Sequence, residues 1–183
     1  IFVNGFYNHV NNYIYIEPTS ATIDGNDVYN YVQNNAYLFG GEAGIHFHPH
    51  PLDWLHFTSS FENVTAKQEN GDYLPLIPAN QWKNNLKTNF NISNWFQKNY
   101  ISAQINHTFN QNNTSDFESQ SKDYTLVNIG FGGEMNFGKR KVDVYFNANN
   151  LFDKNYIAHL SRLKNDGIPN IGRNIVLGLN FDF

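Results

Sequence analysis

G-R-N-I-V-L-G-L-N-F-D-F, residues 172–183, ends the chain with a strict alternation. Ile175, Leu177, Leu179, Phe181 and Phe183 are apolar, while Asn174, Gly178, Asn180 and Asp182 take the alternate positions and Val176 is the one exception. A period of two puts the apolar side chains on one face of a β-strand and the polar ones on the other. One face meets an apolar medium and the other meets water. A soluble sandwich buries such a row against a second sheet, whereas a membrane barrel turns it toward lipid.

The same pattern recurs upstream. Residues 1–17 read as one long strand or a strand bent near Asn11 and Asn12, and residues 18–30, with Asp24-Gly25 and Asp27, read as a loop. A strand follows over residues 31–47, and then a short turn over residues 48–53 whose two prolines exclude strand pairing. Leu55, Phe57 and Phe61 mark the next strand, a polar and proline-bearing loop covers residues 67–78, and Leu86, Thr88, Phe90 and Ile92 mark the fourth strand. A tight turn at residues 94–99 leads to Ile101, Ala103 and Ile105, and residues 111–122 form a third long polar loop. Val127, Ile129 and Phe131 alternate next, then a turn at residues 136–140, then Val142, Val144, Phe146 and Ala148, and a fourth long loop over residues 153–171. This predicts an all-β antiparallel fold of about eight strands with alternately short and long connections, the rhythm of an outer-membrane barrel.

Composition agrees. Aromatics make up 16% of the 183 residues, including 16 Phe and 11 Tyr, yet mean hydropathy is negative. Strands with lipid on one side and water on the other need that combination. No run of about 18 apolar residues exists, so a spanning helix is not expected, and a closed barrel is the other way to satisfy backbone groups in lipid. With no cysteine there is no thiolate chemistry, and a net charge of −4 with scattered basic residues gives no nucleic-acid surface. At ~3.3 Å per residue and ~45° of tilt, the ten steps from Arg173 to Phe183 span ~23 Å of height, close to a ~25 Å apolar band. Trp54 and Trp95 fall beside short turns and Trp82 beside a long loop, as interfacial girdles require.

The segment V-D-V-Y-F-N-A-N-N-L-F-D-K-N-Y, residues 142–156, followed by a polar loop, Gly172-Arg173-Asn174 and the terminal Phe183, resembles the C-terminal end of a TonB-dependent outer-membrane receptor. Weaker similarity extends back through Pro51-Leu52-Asp53-Trp54, Leu76-Ile77-Pro78 and Gly40-Gly41-Glu42. The resemblance implies a C-terminal segment of a larger barrel in the outer membrane of a Gram-negative bacterium. It implies uptake of a scarce nutrient such as an iron-siderophore, haem or cobalamin, energised through an N-terminal plug by the TonB complex, and no enzymatic activity. Arg173, Phe181 and Phe183 are then membrane interface and assembly residues, with Phe183 read by the barrel assembly machinery and Arg173 meeting either lipid phosphates or carbonyls of the fourth loop. A complete eight-stranded barrel with a structural or adhesive role, and a soluble sandwich, are the alternatives.

No nucleophile elbow, phosphate loop or zinc-hydrolase pattern occurs, so no catalytic residue and no cofactor is assigned. His46, His48 and His50, with His56 nearby, form the one metal-like cluster; Pro49 and Pro51 break the strand there, and the stretch reads as a solvated turn rather than a metal site. Ligand-binding candidates lie in the long loops: Asp24, Asp27, Tyr29 and Tyr31 in the first, Asp116 and Glu118 in the third, and His159, Arg162 and Lys164 in the fourth.

Overall fold

A computed structural model describes residues 1–138 and 140–181, so Lys139, Asp182 and the terminal Phe183 lie outside the described residues. The strands are β1 (Phe2–Ile23), β2 (Asn26–Phe47), β3 (Leu55–Gln68), β4 (Gln81–Phe90), β5 (Phe96–Thr108), β6 (Tyr124–Phe137), β7 (Arg140–Asn149) and β8 (Asn174–Phe181). They form one antiparallel sheet in chain order, each strand beside its sequence neighbour. Among the described residues β1 and β8 do not pair, so the sheet is open rather than a complete eight-stranded barrel.

Register builds the two faces. Leu177 lies opposite Phe146, Phe146 opposite Phe131, and Phe131 opposite Ile101, which carries one apolar row across four strands. The row is not covered: Leu177 is 71% and Ile175 62% exposed. The other face carries Asn147, Asn128, Gln104 and Lys87. A compact soluble chain of 21.1 kDa exposes about 9,000 Å². This one exposes 12332 Å², the excess expected of a single layer with no second sheet against it. Gly178 on the polar face lies opposite Tyr145, whose ring occupies the space a Cβ would need, so the aromatic ring substitutes for the missing side chain.

Two sequence expectations need correction. Residues 18–30 are not a loop: β1 and β2 stay paired as far as Ile23 and Asn26, and the reversal is the Asp24-Gly25 pair, both with positive φ (51° and 80°). That is the backbone a two-residue hairpin turn requires. The bend near Asn12 is a register shift between Val10 and Tyr13, with Asn12 at φ 59°. The tight turn at residues 94–99 sits earlier, because β4 ends at Phe90 and β5 starts at Phe96; Ile92 lies off the strand, its N–H donating to the Asn99 side chain at 2.9 Å.

The motif around residue 150 closes the fourth loop. The Asn150 carboxamide, 4% exposed, accepts the Lys154 N–H at 2.8 Å and donates to the Lys154 carbonyl at 2.9 Å. Asp153 then receives the Arg173 N–H at 2.8 Å, and a side chain at Gly172 would run into the Asp153 carboxylate. N-L-F-D-K and G-R-N are therefore the two halves of one clasp that brings the start of β8 back beside the end of β7. Arg173 enters it through its backbone, and its side chain is exposed.

The small buried core lies at the long-connection end. Tyr15, Ala36 and Ala66 pack with Leu74 of the second long loop. Gln111 anchors that loop to the third, donating to the Ile77 and Pro78 carbonyls at 2.9 and 3.0 Å.

Candidate functional site

Three long loops meet at one buried imidazole. His159 of the fourth loop is 7% exposed and sits between Ser121 and Glu118 of the third. Its Nδ1 lies 2.8 Å from Ser121 Oγ and 3.0 Å from Lys164 Nζ. An ammonium only donates, so Nδ1 is the unprotonated acceptor and Nε2 carries the hydrogen. Nε2 faces Glu118 Oε1 at 3.7 Å, beyond hydrogen-bond range. The Glu118 carboxylate is held in turn by the Leu76 N–H at 2.9 Å and by Ser115 Oγ at 3.2 Å, which ties in the second loop. Lys164 also donates to the Ser119 carbonyl.

Burial, reinforced by the Lys164 ammonium, holds His159 below the ordinary imidazole value, with Glu118 opposing. Burial likewise lowers Lys164, again against Glu118. Tyr156 is raised by burial and by Tyr124, whose ring centroid is 4.5 Å away.

Two concavities flank this junction. One, of about 170 Å³, is lined by Tyr29, Phe117, Glu118, His159, Arg162 and Lys164 among others. The second, of about 390 Å³, opens between the third and fourth loops and brings Lys122, Lys154 and Lys164 together with Asp123, Tyr124 and Tyr156. Lys164 borders both. A third, of about 390 Å³, lies against β1 to β3 beside Glu42 and Glu62, and its charge has the opposite sign.

The structure thus gathers Tyr29, Glu118, His159, Arg162 and Lys164 from the sequence candidates. It leaves the others apart. Asp24 is in the hairpin turn, Asp27 pairs with Thr22 beside it, Tyr31 is 84% exposed opposite Ile16, and Asp116 is exposed on the third loop. Sequence reading missed Lys122, Lys154, Ser121 and the Tyr124–Tyr156 pair. The lysines were visible as loop charges, but nothing in their spacing showed that they converge.

A family model described as TonB dependent receptor-like, beta-barrel matches residues 1–151. The chain belongs to this family. The receptor fold is also seen in a solved structure titled "Copper transporter OprC", with a TM-score of 0.81 at 18% identity, covering 99% of this chain and 28% of that one. This receptor barrel segment therefore spans about a quarter of the length of that similar chain. No curated protein matched. In such a fold the three long loops, the histidine junction and the tip of the first hairpin lie at one end of the wall, and the connections after β2, β4 and β6 at the other.

Proposed function

We propose that this chain contributes wall and outer loops to a TonB-dependent outer-membrane receptor of a Gram-negative bacterium. The cleft between its third and fourth loops receives an anionic part of a scarce nutrient. The carrying observation is the convergence of Lys122, Lys154 and Lys164 with Tyr124 and Tyr156 around one cleft of about 390 Å³. Clustered ammonium groups attract carboxylates and phosphates, and adjacent aromatic rings offer apolar area to the rest of a ligand. A nutrient that carries carboxylate or phosphate groups on an apolar or aromatic frame presents both features. Import is driven through the plug by the TonB complex, and the terminal strand is delivered by the barrel assembly machinery.

The test is ligand titration of the intact receptor in detergent with a ferric siderophore panel, haem, cobalamin and copper ions. A Lys122→Gln, Lys154→Gln double variant is expected to weaken the bound anionic ligand at least tenfold at low salt, and less at high salt. Unchanged affinity of the double variant, or copper ions as the sole ligand bound, would overturn the reading.

A further inference from the structure

Lys164 stands between the loop cleft and the buried imidazole. Its ammonium donates to the Ser119 carbonyl and, at 3.0 Å, to His159 Nδ1. It borders both the cleft of about 390 Å³ and the smaller cavity of about 170 Å³ beside His159. The cleft lining sets Lys122, Lys154 and Lys164 against Asp123, so it is net positive. The ammonium that meets an anion there is the same one that keeps a proton off Nδ1.

The remaining contacts of His159 suit a charged ring as well as a neutral one. Ser121 Oγ, 2.8 Å from Nδ1, is a hydroxyl that donates to a bare ring nitrogen and accepts from a protonated one. Nε2 is buried with no hydrogen-bond partner among the described residues, and it faces Glu118 Oε1 at 3.7 Å, so an imidazolium has a carboxylate within ion-pair distance. Arg162 of the fourth loop and Tyr29 of the first hairpin line the same cavity, and the second loop brings the uncharged Pro75 and Leu76. Among the described residues Lys164 is the cation in hydrogen-bond contact with the ring. Burial and that ammonium depress the proton affinity of His159, while Glu118 opposes them. When the ammonium is drawn off or neutralised, one depressing cause goes and the opposing carboxylate stays.

We propose that the cleft takes up its anionic ligand together with a proton, which His159 receives when the ligand engages Lys164. The proposal rests on the cleft reading above and states how that site is regulated. Two routes give the same sign. A carboxylate or phosphate that pulls the ammonium into the cleft frees Nδ1, and one that settles beside it cancels part of its field at the ring. The proton comes from solvent and binds the Nδ1 lone pair. The imidazolium then donates to Ser121 Oγ from Nδ1 and faces Glu118 from Nε2. His159 therefore binds protons more tightly in the liganded receptor than in the free one. Between the two values ligand binding takes up a proton, and by reciprocity affinity for the ligand rises as pH falls, by at most about tenfold per pH unit for one proton.

The test uses the intact receptor in detergent with naphthalenedisulfonate as the probe, an aromatic dianion whose sulfonates stay ionised throughout, so that only the protein titrates. Calorimetry in two buffers of different ionisation enthalpy reads the affinity and the protons taken up. Wild type is expected to bind at least about threefold more tightly at about pH 6 than at about pH 8, with net proton uptake. His159→Gln should bind with no such rise. Lys164→Met should bind more weakly and also without the rise, because the link between cleft and ring is gone. His107→Gln, whose imidazole bonds Thr125 instead, should keep the wild-type slope. Heat-modifiable migration on electrophoresis verifies that each variant is folded, and the wild-type slope stands without any variant. A pH-independent affinity in wild type, or the same rise in His159→Gln, would overturn the coupling and leave the cleft reading in place. Absence of probe binding at both pH values would overturn both.

Discussion

His159 holds the loop junction in a state that only a neutral imidazole allows. Its Nδ1 accepts from Lys164, so adding a proton there sets two donors against each other. Its affinity for protons is depressed in the folded protein, so between that lowered value and about 6.5 the disordered loop binds more protons than the ordered one. Stability of the junction therefore falls as pH drops through that window. Amide protection factors of the third and fourth loops, which are corrected for the intrinsic exchange rate, should fall as the pH drops below about 6.5, while those of the β6–β7 ladder hold. His159→Gln, which keeps an acceptor and cannot titrate, should flatten the profile. An equally steep acid response in that variant would remove His159 as the cause.

Among the elements, the first hairpin and the fourth loop depart most from an ordinary barrel wall. β1 and β2 have 22 residues each, ~73 Å of strand and ~51 Å of height at ~45° tilt, about twice the ~25 Å apolar band. The outer half of this hairpin stands clear of the bilayer and supplies Tyr15 and Ala36 to the core that receives Leu74. The fourth loop depends on its clasp. Asp153→Ala removes the acceptor for the Arg173 N–H, a loss of about 1 kcal/mol at the point where the fourth loop returns to β8. Protease cleavage between residues 154 and 171 of the folded receptor should speed up roughly fivefold at that cost. Asp153→Asn, which keeps an oxygen acceptor, should fall between. Identical cleavage of all three proteins would show that the clasp is not what orders the loop.

On the scale of the molecule, the two faces of one sheet answer to two media. Leu177 and Asn147 lie on neighbouring strands, one in the exposed apolar row and one on the polar face. Leu177→Lys in the intact receptor puts an ammonium into hydrocarbon and should cost about 2–4 kcal/mol of folding stability in lipid vesicles. Asn147→Lys should cost less than about 1 kcal/mol, because its face meets water. Chemical unfolding in vesicles measures both, and equal costs would contradict the assignment of faces. The open edges at β1 and β8 follow from the same design, since a wall in lipid leaves no backbone group unpaired once neighbouring strands complete it.

The sequence by itself determined the strands, their order, the two faces and the family, because each depends on a local rule. Period-two alternation is written residue by residue, and a meander pairs each strand with its sequence neighbour. N-L-F-D-K with G-R-N was recognisable before its role as a clasp was. The same local rules misjudged the first hairpin: polar and turn-forming residues at 18–30 read as a loop, although pairing with the opposite strand keeps them extended. Only the tertiary structure decided which loop charges meet. Lys122, Lys154 and Lys164 share a cleft, and Glu118 faces His159, through contacts between loops separated by a whole β-hairpin of chain. His46, His48 and His56 come near one another for a mixed reason: His48 follows His46 by two residues just past the end of β2, and His56 arrives from β3, whose ladder with β2 ends at Phe47 and Phe57. Periodicity fixes which way a side chain points along its own strand, but the side chains it meets are set by register and by loop packing.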